Sequence, residues 1–174
     1  MQYYVAYFGV PLIVTINKGV ILSVEFAEGS EYSRINNTDT SLLNDLWTFA
    51  KGDHSALRFS LDKAPLNTKP ILLKALEIPF GKVVSYGELS RAVFGSSRYS
   101  RFVGFAMGHN PVPVIVPCHR VVFSDGSFKG FSAPFSIKER LLMREGVNLM
   151  RRVTDYKGVN NHNAKIDKTF FTHF

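Results

Sequence analysis

One cysteine, Cys118, occurs in the 174 residues, and His119 and Arg120 follow it directly. The thiolate is the reactive form of cysteine, and at a free pKa near ~8.5 only a few per cent of it exists at neutral pH. Positive neighbours favour the thiolate, so Cys118-His119-Arg120 has the composition of an activated nucleophile. Apolar Val114-Ile115-Val116 leads into it, Pro117 takes the chain out of regular pairing, and Val121-Val122 leads out. The sulfur is therefore expected at a fixed point at the end of a buried segment. On extended backbone, adjacent side chains face opposite ways, so His119 is expected to reach the sulfur through a bridging water. The competing reading is a small buried core thiol, against which the charged neighbours weigh.

The elements that position this stretch are legible from periodicity. Over residues 2–26, Tyr3, Val5 and Tyr7 alternate, then Leu12, Val14 and Ile16. After a turn at Asn17-Lys18-Gly19 come Val20, Leu22, Val24 and Phe26, so the segment reads as strands. Residues 28–37 are polar without period and read as loop. Between 41 and 51, Leu42, Leu43, Leu46, Trp47, Phe49 and Ala50 fall at helical spacing, closed by Gly52. Residues 56–61 read as a further strand, and His54 as a surface residue. A polar connection over 62–69 containing Pro65 predicts a domain boundary.

Beyond it the pattern is helical. A helix is expected over 70–78, with Pro70 in its first turn and Pro79 and Gly81 ending it. A short helix over 86–93 has Ser85 as its cap, Phe94-Gly95-Ser96-Ser97 breaks it, and a second runs from 99 to 108. Two short helices around a glycine-containing turn are the outline of a helix-turn-helix. A turn at 124–127 and a loop at 129–134 precede a helix over 136–145, with Ser136 as cap, Glu139 three residues on and Gly146 after it. The expected fold is α+β. A small N-terminal β-sheet plus helix domain over 1–66, structural in role, precedes a mainly helical C-terminal domain with the helix-turn-helix over 67–147. A C-terminal extension, 148–174, receives no role.

Charge is divided between these parts. Residues 1–66 hold five Lys/Arg against seven Asp/Glu, and residues 67–174 hold sixteen against seven, so the half containing Cys118 carries a net +9. Such a one-sided field suits a polyanion, nucleic acid first. Arg91, Arg98 and Arg101 lie across the turn, with no acidic residue from 89 to 103, and read as a phosphate footprint. A lone cysteine excludes an internal disulfide and a Cys-rich zinc site. No apolar run approaches the ~18 residues of a membrane span, and the start lacks a signal-peptide pattern. The expectation is a soluble, cytoplasmic protein.

Pro117-Cys118-His119-Arg120, preceded by Gly108-His109-Asn110-Pro111-Val112-Pro113, closely resembles the active-site signature of the O6-alkylguanine-DNA alkyltransferases. The resemblance runs from about 70 to 146 and includes Gly81-x-x-x-Ser85-Tyr86 and Glu145-Gly146. It implies a monomer that takes an alkyl group from O6-alkylguanine, and O4-alkylthymine, in flipped-out double-stranded DNA onto its cysteine, once, without cofactor or metal. Position by position, it makes Cys118 the acceptor, His119 the water-mediated base, Glu145 the carboxylate orienting it and Tyr86 the donor to the leaving guanine. The resemblance places Ser132 near O6, makes Val121 O an acceptor for the exocyclic amine, and sets Phe131 and Lys138 beside the substrate. It implies that Asn110 ties the turn before the cysteine. On the DNA side it implies Arg101 as the arginine entering the stack, with Ser100 and Gly104 beside it, in a helix lying in the minor groove. Arg98 competes for that role because the Tyr86–Arg101 spacing is one residue longer than is typical. Tyr99 and Phe102 are bulkier than the residues usual there, and Phe131 and Ala133 replace a usual tyrosine and glycine. Arg91, Arg98 and Arg120 are expected to contact phosphate. The alternatives are a lesion-binding sensor that does not repair, which would lack the cysteine, and a cysteine hydrolase using Cys118 and His119.

Overall fold

The structure is a computed structural model that describes residues 1–27, 39–127, 135–150, 165–166 and 172. Three antiparallel strands open the chain: β1 (Gln2–Tyr7), β2 (Val10–Asn17) and β3 (Val20–Phe26), in sheet order β1-β2-β3. Two-residue turns join them, Phe8-Gly9 and Lys18-Gly19, with positive φ at both positions of each. Such turns match the right-handed twist of the strands, and a glycine at the second position makes them accessible. Register pairs Val5 with Leu12 and Val14 with Val24, which puts these apolar residues on one buried face. Against that face packs α1 (Thr40–Ala50), burying Leu42, Leu46, Phe49 and Ala50; Asp39 caps it by accepting from the Ser41 and Leu42 amides.

The strand expected over 56–61 reduces to a single bridge between Ile21 and Phe59. Ile21 exchanges backbone hydrogen bonds with Arg58 and Ser60, and Ser60 Oγ then accepts from the Asp62 amide and turns the chain away. The next helix, α2 (Lys69–Ala75), stops before residue 78. Its amides continue as i→i−3 bonds through Ile78, because a residue ahead of proline, here Pro79, is disfavoured in the α region.

A short parallel pair, β4 (Val84–Ser85) with β5 (Val121–Val122), ties the start of α3 (Tyr86–Phe94) to the exit from the cysteine turn. Ser85 and Glu88 form a reciprocal capping box on α3, and Gly95, in the left-handed region, closes it. A 3-10 turn over Ser97–Tyr99 leads into α4 (Ser100–Gly108), and α5 (Phe135–Arg144) follows later. One apolar core runs from Val5, Leu12 and Leu46 through Ile71 and Leu89 to Val103, Val116 and Cys118. The Cys118 sulfur therefore sits in the same packing unit as the N-terminal sheet. No helix among the described residues is long and apolar enough to cross a membrane.

Ser85→Ala removes one half of the capping box while leaving the helix sequence intact. Its expected cost is about 1 kcal/mol of unfolding free energy, read as a lower urea midpoint with unchanged slope. An unaltered midpoint would show that α3 is held by its packing alone.

Candidate functional site

Cys118, His119 and Arg120 form one 3-10 turn rather than an extended segment, and all three are buried. The turn is fixed from both sides. Asn110 Nδ2 donates to Val116 O at 2.9 Å and its Oδ1 accepts from the Val112 amide, spanning the loop before the cysteine. Within that loop Val114 takes φ +76°, a region that costs a β-branched residue of order 1–3 kcal/mol and persists only where packing enforces it. Buried neighbours supply that enforcement.

Glu145, just past α5, is the meeting point of the buried polar groups. His119 Nε2 lies 2.7 Å from Glu145 Oε1, and Arg120 Nε donates to Oε2 at 2.9 Å and to Oε1 at 3.1 Å. The Arg120 Nη groups donate further to Glu145 Oε1 and to the carbonyls of Ile78 (2.8 Å) and Ala50 (3.1 Å). The Gly81 amide also donates to Glu145 Oε2, at 3.2 Å. Gly81 has positive φ, and a Cβ there would stand 2.9 Å from Glu145 O, so both conformation and space require glycine.

The expectation that Arg120 contacts phosphate is overturned by this geometry. Arg120 is buried, 3% exposed, and its hydrogen bonds all point inward. Nor does it charge the cysteine's surroundings, because Glu145 already neutralises it. Burial raises the Glu145 pKa, but His119 and Arg120 outweigh it and bring the carboxyl down to about 2. Burial likewise lowers His119, against the pull of Glu145, so the imidazole is neutral. With an ionised carboxylate at Nε2, the proton belongs on Nε2 and Nδ1 is left with its lone pair. Nδ1 is buried and has no hydrogen-bond partner among the described residues.

Burial also pushes the Cys118 thiol up, opposed by the Asn110 side chain, the Lys138 charge and the amides of Cys118 and His119. Thiolate stabilisation thus comes from Asn110, Lys138 and these two amides, not from the side chains of the two residues that follow the cysteine. Lys138, on α5, is fully buried and donates to Val121 O at 2.7 Å; burial lowers its pKa to about 7 while Cys118 resists that shift.

A groove of about 620 Å³ opens beside Tyr86, lined by Arg91, Ser100, Arg101, Gly104 and Phe123 among others. Burial, then the charge of Cys118, raises the Tyr86 phenol to about 12, which keeps it protonated at neutral pH. Arg98 is exposed but does not line this groove. Phe102 turns toward the core, whereas Tyr99 stays exposed against Phe94. Ser132, Phe131 and Ala133 lie outside the described residues. The Ala50 and Ile78 carbonyls and Phe123 carry no local signal in the sequence, whereas Gly81 stands in the Gly81-x-x-x-Ser85-Tyr86 motif.

In comparisons with known proteins, residues 68–147 match the model of the 6-O-methylguanine DNA methyltransferase DNA-binding domain. A methylated-DNA–protein-cysteine methyltransferase from Homo sapiens is 45% identical over 83 residues, 47% of this chain and 40% of that protein. One of the same name from Methanosarcina acetivorans is 40% identical over 91 residues, 51% of this chain and 58% of that protein. The chain thus spans less than two thirds of the length of these relatives. A crystal structure of Mycobacterium tuberculosis OGT in complex with DNA is 25% identical with a TM-score of 0.66, covering 83% of this chain and 91% of that one.

The Glu145 carboxyl, at 4.5 when unperturbed, binds its proton far less readily in the folded state. Its stabilising contribution is therefore whole above pH ~4.5 and is lost as pH falls toward 2. Glu145→Gln is expected to flatten that acid limb in urea titrations. At pH 7 it should cost about 3–5 kcal/mol, because it leaves Arg120 buried without a counter-charge.

Proposed function

We propose that this chain repairs DNA by direct transfer, a reading supported by the match of residues 68–147 to the 6-O-methylguanine DNA methyltransferase DNA-binding domain. Cys118 takes the alkyl group from O6-alkylguanine, and from O4-alkylthymine, once per molecule and keeps it. The reaction is a displacement: an S–C bond forms as the C–O6 bond breaks, and the electron pair passes to the purine. The thiol proton goes through a bridging water to His119 Nδ1, and Glu145 stabilises the imidazolium that results. Tyr86, protonated, donates to the purine as its negative charge grows. Val121 O, which accepts from Lys138, has a second lone pair with which to accept from the exocyclic amine of guanine. No cofactor takes part. The observation that carries the reading is the buried His119–Glu145 contact at 2.7 Å, with the unpartnered Nδ1 on the other edge of the ring.

Cys118, only 3% exposed, cannot reach a stacked base, so the damaged nucleotide must leave the duplex. In this reading α3 and α4 act as a helix-turn-helix whose second helix lies in the minor groove, and Arg101 fills the place of the everted base. Its position on the groove beside Tyr86 favours it over Arg98. Residues 1–66 form a structural domain that also buttresses the site, through Ala50 O on Arg120. Residues 67–147 bind DNA and react, and the protein works as a cytoplasmic monomer.

Intact-protein mass spectrometry after incubation with an O6-methylguanine duplex tests this directly. The expected result is one methyl group on Cys118, no second addition, and no gain for Cys118→Ala. Binding without any gain in mass would favour a sensor, and repeated turnover on an ester a hydrolase. Affinity for duplex should also fall steeply with salt. Arg91→Ala and Arg98→Ala should each lower the slope of log K against log[salt] by about one.

A further inference from the structure

Helix α4 turns a distinct face to solvent. At 3.6 residues per turn, Val103, Ala106 and Met107 fall on its buried side, and Arg101, Gly104, Phe105 and Gly108 on the opposite side. Phe105 is 46% exposed. It is nevertheless held: its ring stacks on His109 at 4.0 Å and lies near-parallel to Phe102 at 6.1 Å, while His109 Nδ1 stands 2.8 Å from Phe105 O. Phe102 in turn packs against the core. A large apolar ring is thus fixed in water by its neighbours, with little rotamer freedom left to lose on binding.

The flanking glycines sharpen the shape. A Cβ on Gly104 would make only ordinary contact, 3.9 Å from Tyr86 Cε1, and one on Gly108 would meet nothing. Internal packing therefore does not demand glycine at either position, although each costs about 1 kcal/mol relative to alanine in a helix. Their smallness instead lets a flat surface approach the helix backbone, leaving Arg101 and Phe105 as the two tall side chains on that face. The surroundings are cationic, with Arg91 and Arg98 nearby and no acidic residue from 89 to 103. The face is continuous with the groove that Arg101 lines.

We propose that Phe105 is a minor-groove wedge, a second DNA-inserting side chain one helical turn beyond Arg101. The proposal rests on the repair reading above and extends it. Apolar side chains presented to the minor groove pry base steps apart and kink the duplex. Four residues rise about 6 Å along a helix, which is roughly two base steps along a groove that α4 follows. Arg101 thus occupies the place of the everted base, and Phe105 opens a step about two base pairs away. The kink widens the minor groove and eases eversion.

The test uses the full chain with O6-methylguanine duplexes carrying 2-aminopurine at single positions on either side of the lesion. Its fluorescence rises when it unstacks. The wild type should brighten a position about two steps from the lesion, and Phe105→Ala should abolish that signal and weaken binding about tenfold. The salt slope should stay as in the wild type, since no phosphate contact is lost. Phe105→Leu, still apolar, should retain part of the signal. Thermal melting of the variants should match the wild type, because the ring is exposed. The mass gain on Cys118, measured on the same samples, separates the two claims. Methylation with no flanking signal, or with equal affinity for Phe105→Ala, overturns the wedge alone. Absence of both binding and methylation overturns the repair reading and the wedge with it. A wild type that dimerises while Phe105→Ala is monomeric would assign the face to a second copy and also overturn the wedge.

Discussion

The site is organised around one buried carboxylate. Glu145 receives His119 on one oxygen and the Arg120 guanidinium on both, and each partner needs it for a different reason. Arg120 carries a permanent charge into the core and requires a counter-charge there, since desolvating an unpaired guanidinium would cost several kcal/mol. His119 requires an acceptor at Nε2, which fixes its tautomer and leaves Nδ1 bare. One anion therefore neutralises the core and sets the basic edge of the imidazole. Because Arg120 also binds Ala50 O at the end of α1 and Ile78 O after α2, the arrangement holds three separate chain segments against the cysteine turn.

This changes the account of how the sulfur is activated. Cationic neighbours in sequence suggest a thiolate held by local positive charge, but in the fold one of those residues is neutral and the other is already paired. Burial opposes the thiolate, and Asn110, Lys138 and two backbone amides oppose burial. Lys138 has a double part: it brings charge near the sulfur and pins the Val121 carbonyl beside it. The Nδ1 edge of His119 has no hydrogen-bond partner among the described residues, which is what the proposed transfer needs of a group that takes the thiol proton.

Much of the scaffold was legible in the sequence, because its elements are specified locally. Alternation over residues 3–26 with Lys18-Gly19 marks the hairpins, and the spacing from Leu42 to Ala50 marks α1. Ser85 marks the start of α3 as its cap, and the structure completes a capping box with Glu88 whose two hydrogen bonds lie within four residues. What was not legible depends on distant partners. Nothing local to Arg120 says that its guanidinium turns inward to meet a carboxylate 25 residues later and a carbonyl 70 residues earlier. The segment 56–61 has strand composition, yet only one of its residues bridges to β3, because a side-chain hydrogen bond at Ser60 redirects the backbone. Bulky residues along α4 could be read from sequence, but not that Phe102 would fold onto the core while Phe105 stays outside.

The protonation state of His119 is the point on which the chemistry turns, and nitrogen NMR of the imidazole reads it directly. At pH 7 the account requires a neutral ring with its proton on Nε2 and a bare Nδ1, and the same form persisting below the ordinary histidine range. A proton on Nδ1, or an imidazolium at pH 7, would contradict it.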